Sequence, residues 1–512
     1  MSQKTILTID AGTSRLKAAL FTESGDALAF VSRDMQVLHP FDGASEMDML
    51  SVWHALAEVS RELAAQWPQH WQALIGMAIT GQGDGLWPLD AQGGPVGNAI
   101  LWNDCRCKCM QYPNEAEITA FGISRATSPL FVGAPPAILS WLQVHQPERF
   151  KRIRHALHCK DWLNYRLTGR IITDRSDAST AMMNVLTGKY EFELLNLLGL
   201  PEGTDQLFPE ITDAIKIIGT VTPAAEAITS IPAGLPLMTG ALDVAASAYG
   251  AGARQPGDAV TILGTTFSNL VLMQAGKVSH LDVAGSSLCY LIPDLYMRLM
   301  ATTNGASAFD WARQTLLPGR SIAEIEQGVD SMPEGAEGVF FQPYLHGERS
   351  PFRESRAAGA FFGISARHTA MHLMRAVFEG LVFSIRDCYD HLPKGETPVI
   401  LAGGAANSKI ICQVLADTLN RPTLHVPDQE FGLLGMASSL LETLGYPLPA
   451  RPADDRGQLF TPRPQMTDLY QEGYQIFRQL REASLACWKA RDSYMNHLPA
   501  AQDASRVAGE EN

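Results

Sequence analysis

The chain of 512 residues is too long for one hydrophobic core, and its 46% apolar and 18% charged content is ordinary for a soluble protein of two large domains or several small ones. With 54 acidic against 40 basic side chains the net charge is −14, leaving no basic excess for nucleic acid or an anionic membrane surface. No apolar run approaches the ~20 residues of a membrane span, and "MSQKTILTIDAGT" enters a strand with no signal-peptide core, so a cytoplasmic location is expected.

The first predicted elements are strands: "KTILTID", then "RLKAALFT", the turn "ESGD" and "ALAFVSRD". The first ends in a carboxylate, Asp10, followed by Gly12, Thr13 and Ser14. Such a turn can hold a metal with its carboxylate and phosphate with its N–H and hydroxyl groups, or it can simply turn the chain. Helical spacing of Leu50, Val52, Trp53, Leu56, Ala57 and Val59 predicts an amphipathic helix over "DMLSVWHALAEVSRELAAQW". A short strand, "LIGMAIT", then runs into "GQGDG" (81–85), and the strand–helix alternation predicts an α/β architecture.

In "ILWNDCRCKCMQ", Cys105, Cys107 and Cys109 alternate, which could place three thiols on one face of an extended segment. They lack C-x2-C spacing and a fourth ligand, so free thiols are expected rather than zinc. Near residue 236 a second series begins. In "LMTGALDVAASAYGAG", Asp243 stands where a strand gives way to a helix, a place suited to a ligand-facing general base and equally to a helix N-cap. "VTILGTTFSNLVLM" then echoes "LTIDAGTSRLKAALF", which suggests an internal duplication of one hairpin. The boundary is expected at 245–258, where "GAGARQPGD" reads as linker. In "VILAGGAANSKIICQVLAD" the strand breaks at Gly403 and Gly404 and a helix starts near Asn407, so a flat ligand can approach the backbone.

The segment 359–385, with Gly359, Phe361, Gly363, Ile364, His372, Leu373, Ala376, Val377, Phe378 and Glu379 at fixed spacing, resembles the C-terminal signature of the FGGY carbohydrate kinases. "DAGTS", "LWNDCR", "KDWLNYRLTG", "TDRSDAS", "GALDVAASAYGAG", "LGTT", "AGGAANSKIICQVLAD" and "EFGLLGMA" resemble further blocks of that family in its order, over about residues 5 to 480. The resemblance implies two actin-like (ribonuclease H-like) α/β domains, 1–250 and 251–495, with ATP and substrate in the cleft between them. Residues 496–512 are expected to form a disordered tail.

By the same resemblance, Asp10 and Asp243 hold Mg²⁺. Gly12, Thr13 and Ser14 form the first phosphate turn, and Gly264, Thr265 and Thr266 the second. Gly403, Gly404 and Asn407 lie near the adenosine, and Asp243 is the catalytic base. Gln82, Gly83, Asp84, Trp102 and Asp104 fall in the substrate blocks. Asp84 stands where many xylulose kinases carry His, as in L-xylulose-type and erythritol kinases, and a carboxylate there accepts from hydroxyls and repels sugar acids. Trp87 and Trp102 are candidates for an apolar wall. The expected activity is ATP-dependent phosphorylation of a terminal hydroxyl on a neutral pentulose such as xylulose or L-xylulose, with erythritol or a short polyol as alternative. The readings from another class are an actin-like ATPase and a catalytically silent ligand-binding protein. The oligomeric state is left open, a homodimer included.

Overall fold

The computed structural model describes residues 3–110, 112, 114–126, 128–277, 285–427, 430–448, 457–495 and 497. Apart from His497, the expected tail 496–512 lies outside the described residues. In the first half, β1 (Thr5–Ala11), β2 (Arg15–Thr22), β3 (Ala27–Asp34), β4 (Leu74–Gly81), β5 (Ile217–Thr220) and β6 (Pro236–Met238) form one sheet in the order β5-β6-β4-β1-β2-β3. The second half builds another from β7 (Ala259–Leu263), β8 (Phe267–Gln274), β9 (Ser286–Cys289), β10 (Leu295–Ala301), β11 (Val399–Ala402), β12 (Thr423–His425) and β13 (Gln458–Phe460). Its order is β9-β10-β8-β7-β11-β12-β13.

Setting β1 on β7 brings the two sheets into register. Each central strand runs antiparallel to the next strand in the chain (β1/β2, β7/β8), which in turn runs antiparallel to a third (β3, β10). On the other side each runs parallel to β4 or β11, then to β6 or β12, and an antiparallel strand closes the edge. The hairpin echo in the sequence is therefore one part of a whole-domain duplication, and the fold is the two-domain, actin-like α/β architecture.

Helices α1 (Met49–Gln66), α2 (Cys159–Thr168), α3 (Arg175–Ala181) and α4 (Asp243–Gly250) belong to the first half. The second half contains α5 (Ala370–Tyr389), α6 (Lys409–Leu419) and α7 (Phe431–Thr443). Asp48 caps α1 by accepting the Leu50 N–H at 3.0 Å, and the apolar stripe of that helix is buried against the first sheet. A separate apolar core fills the second half around α5.

Between the sheets, α4 and α7 pack on each other within a third core that draws on both halves. Glycine makes this crossing close. A Cβ on Gly435 would meet the Ala246 carbonyl oxygen at 1.9 Å, and one on Gly250 the Phe431 oxygen at 2.0 Å. Gly435→Ala is accordingly expected to force the helices apart and cost about 1–3 kcal/mol, read as a lower urea midpoint at unchanged m.

The two halves also meet at the outermost strand, β9. Ser128 Oγ accepts the Ser287 N–H at 3.1 Å, and Ser179 Oγ on α3 accepts the Cys289 N–H at 3.2 Å. The segment Arg106–Cys109 is a 3-10 turn rather than the extended stretch that alternation of its cysteines suggested. Cys105 and Cys107 are free thiols as expected, and burial pushes the Cys107 thiol up to about 12.

Candidate active site

A cleft of about 420 Å³ opens between the two sheets. Its first-half wall includes Asp10, Gly12, Thr13, Gly83, Asp84 and Trp102. Asp243 stands at its base, and Gly264, Thr265 and Thr266 face it from the second half. Residues separated by up to 256 positions in the chain thus come together because the two hairpin turns β1/β2 and β7/β8 lie at corresponding ends of duplicated sheets. The duplication has diverged at the decisive position. Pairing Ala11 with Leu263 as the last residues of their strands sets Asp10 against Ile262, which also lines the cleft. Only one copy carries the acid.

Asp10 reaches the cleft from the end of a strand whose other residues are buried. A methyl group on Gly432 would stand 3.3 Å from Asp10 Oδ2, so the carboxylate lies beside the start of α7. Burial pushes its pKa up to about 6, with Lys17 opposing the shift. Lys17 is itself paired with Glu430, just before α7, at 2.5 Å.

Asp243 is the first residue of α4. The N-cap is Leu242, and among the described residues the Asp243 carboxylate accepts only from the neighbouring Val244 N–H, at 2.6 Å. This corrects the helix-cap reading: the N-cap is the flanking residue before the helix, here Leu242, and Asp243 lies inside the first turn. Burial, and then the charge of Asp10, push the Asp243 carboxyl up to about 8. Two buried acids facing one cleft, the charge of one raising the pKa of the other, fit a hard divalent cation such as Mg²⁺.

Asp84 occupies a left-handed backbone position, φ 50°, that its short polar side chain tolerates. One carboxylate oxygen is buried with no hydrogen-bond partner among the described residues. Burial pushes its pKa up to about 7 against the opposing pull of His158. A Cβ on Gly83 would stand 2.0 Å from Leu242 Cδ1, so a larger residue there would require the Leu242 side chain to move.

Beneath this loop lies a buried charge cluster. Lys160 Nζ contacts Asp161, Asp174 and Asp177 at 2.7, 2.8 and 2.9 Å, and His158 Nδ1 pairs with Asp161 at 3.1 Å. Although His158, Asp161 and Asp177 converge closely enough to hold an ion, the lysine ammonium already provides the cation. Burial opposes the charge of His158, but Asp177 and Asp161 outweigh it and raise its pKa.

Several expected site residues do not line the cavity. Gln82 is buried and acts behind Thr13, accepting from its hydroxyl at 3.0 Å, while Trp102 Nε1 donates to the same hydroxyl at 3.0 Å. Ser14 is exposed. Gly403 packs on Leu263, directly before the turn Gly264–Thr266, with Gly404 and Asn407 in the 3-10 turn that follows. Asp104 is corrected as a direct substrate contact. It is 1% exposed, and its carboxylate is taken up by the Ser45 and Arg106 N–H groups and the Arg106 guanidinium. Trp87 is likewise core, fully buried, whereas Trp102 does form a wall. Sequence reasoning missed Ser128, Phe131, Thr180, Arg349 and Arg353 on the cleft. The one available signal was the charged pair Glu348-Arg349 set between Gly347 and Pro351.

Paired phosphate-type turns, facing acids and a polar pocket between duplicated domains define a two-domain phosphotransferase. Residues 5–250 match the N-terminal domain, and residues 259–439 the C-terminal domain, of the FGGY family of carbohydrate kinases. The chain belongs to this family and is a sugar kinase.

Among its relatives, a probable L-xylulose kinase of Pasteurella multocida is 30% identical over 491 residues, covering 93% of this chain and 98% of the relative. An erythritol kinase of Brucella abortus is 30% identical over 516 residues, covering 94% and 97%. The crystal structure of a gluconate kinase from Lactobacillus acidophilus superposes with a TM-score of 0.88 over 96% of this chain and 100% of that one. At 24% identity that likeness establishes the fold alone.

Proposed function

We propose that this kinase transfers the γ-phosphoryl group of ATP to a terminal hydroxyl of a neutral pentulose, L-xylulose or xylulose. The observation that carries the reading is the convergence of Asp10, Asp84 and Asp243 on one cleft with the turns Gly12–Thr13 and Gly264–Thr266. Asp243 accepts the proton of the attacking hydroxyl as the new O–P bond forms and the bond to the β-phosphate oxygen breaks, with ADP leaving. Backbone N–H groups and hydroxyls of the two turns hold the phosphates from opposite domains. Gly403, Gly404 and Asn407 lie beyond the second turn, where the adenosine would extend. Mg²⁺ held by Asp10 and Asp243 would neutralise phosphate charge. Gripping the nucleotide from both domains allows closure to exclude water and spare ATP from hydrolysis.

Asp84 accepts from sugar hydroxyls within the pocket, and Trp102 covers a carbon-bound face. The similarity to an erythritol kinase favours a short polyol as the second reading. A coupled ADP-release assay over pentuloses, polyols and sugar acids, ranked by kcat/KM, decides between them. A six-carbon sugar acid as best substrate would refute the role given to Asp84, and ATP turnover indifferent to every sugar would refute the substrate reading.

Asp84→Asn provides a separate check with two readouts. The sugar KM is expected to rise about tenfold as a charged acceptor is lost. Because the folded-state pKa of Asp84 is raised to about 7, the wild type loses stability as pH rises from the ordinary carboxylate range through 7. The variant lacks that loss, so its melting temperature at pH 8 is expected to exceed the wild type's by about 2–4 °C.

A further inference from the structure

The second domain sends one side chain across the cleft to the sugar wall of the first. Arg349 lies in the loop after Gly347, and that loop is built to hold it. Glu348 Oε1 accepts the backbone N–H groups of Thr303 at 2.6 Å and Arg349 at 2.8 Å, tying the loop to the end of β10. Asn304 adds a bond from Nδ2 to the Gly347 oxygen at 2.8 Å. Arg349 Nε donates to the Ala301 oxygen at 2.9 Å and a terminal nitrogen to the Thr302 oxygen at 3.4 Å.

Held in this way, the guanidinium lies 5.5 Å from the ring centre of Trp102 and 5.7 Å from that of Phe131, both on the first-domain wall. Its Nη1 has no hydrogen-bond partner among the described residues, and the side chain lines the cleft together with Asp84 and Trp102. Its remaining N–H donors and the Asp84 carboxylate, an acceptor, belong to the lining of one cavity, each contributed by a different domain.

We propose that Arg349 is a specificity-determining residue that donates from the second domain to the ketone oxygen of the sugar. This rests on the pentulose reading above. A ketone oxygen can only accept, so it suits the guanidinium side of the pocket, while hydroxyls serve Asp84. The pair thereby orients a ketose end to end, whereas a polyol, with hydroxyls throughout, satisfies both walls in either direction. Since Arg349 belongs to one domain and Asp84 to the other, sugar recognition also requires both domains together.

The test compares the wild-type enzyme with Arg349→Met and Arg349→Lys on L-xylulose, xylulose and the polyols xylitol and erythritol. Methionine keeps the stem over Trp102 but removes every donor, and lysine keeps the charge but loses the fork. The wild type is expected to prefer a ketose. In Arg349→Met the kcat/KM for that ketose should fall about 10- to 100-fold, mostly through KM, and that for the polyols by less, so that the preference narrows. Arg349→Lys should fall between. The ratio of two substrates on one preparation is independent of how much of the protein is active, so partial misfolding does not affect it.

A ketose preference that persists undiminished in Arg349→Met would overturn the proposal alone. Equal losses on ketose and polyol, or a raised KM for ATP, would overturn it in favour of a phosphate contact. A wild type that prefers polyols, or accepts no sugar of the panel, would overturn the pentulose reading and this inference with it.

Discussion

Asp243→Asn is expected to lower kcat by about 10²–10⁴-fold while the sugar KM stays close to the wild-type value. The amide keeps the shape of the side chain but cannot take the proton of the attacking hydroxyl. The structure sharpens this expectation by removing the competing explanation. Asp243 does not cap α4: it is the first residue of the helix, and the cap position is Leu242. Stability should therefore not fall through a lost cap. It should rise, because the substitution removes a buried acid whose ionisation is opposed by burial and by the charge of Asp10. A folded Asp243→Asn protein with near-normal kcat would exclude Asp243 as the base.

Asp10→Ala is expected to cost about 10²–10³-fold in kcat and to weaken Mg·ADP binding, since it removes a carboxylate that would hold Mg²⁺ against the phosphates. The fold should survive, because the carboxylate extends from a strand end towards the cleft and away from the apolar core beneath it. Activity measured against Mg²⁺ concentration and calorimetry with Mg·ADP report the two effects separately. Wild-type turnover with an unchanged Mg²⁺ dependence would return Asp10 to the role of a turn residue.

Local pattern was a good guide to elements and a poorer guide to side-chain direction. The first three strands, α1 and β4 all appear where apolar periodicity and turn residues put them, with a short helix, Pro68–Gln72, between α1 and β4. The two phosphate-type hairpins were legible because Gly and hydroxyl residues must recur wherever backbone has to approach a ligand. The full duplication was not, because its later strands repeat in topology without repeating in residues. Compare "PLM" in β6 with "TLH" in β12.

The site shows the same division. Asp10, Asp84, Trp102 and Asp243 share the cleft as the family blocks implied, but Asp104 from the same block turns inward to Arg106. Sequence order cannot distinguish these outcomes, since both place an acid in a polar loop. The longest recognised pattern, 359–385, lies mostly in α5. There Arg375, Glu379 and Tyr470 bind one another and none of them lines the cleft, so that block identifies the family through its packing. Arg349 was missed because nothing local relates residue 349 to Trp102. Only the meeting of two domains does.

The serines that meet β9 have a further consequence. β9 is the border strand of the second sheet, and the groups answering its outward N–H donors at Ser287 and Cys289 come from the other domain. Any hinge movement wide enough to part Ser128 and Ser179 from that strand strips the border of its partners. Bare β-sheet rims recruit strands from other chains. Opening of that kind would leave β9 exposed to edge-to-edge pairing, and a ligand that holds the domains together would keep that rim covered.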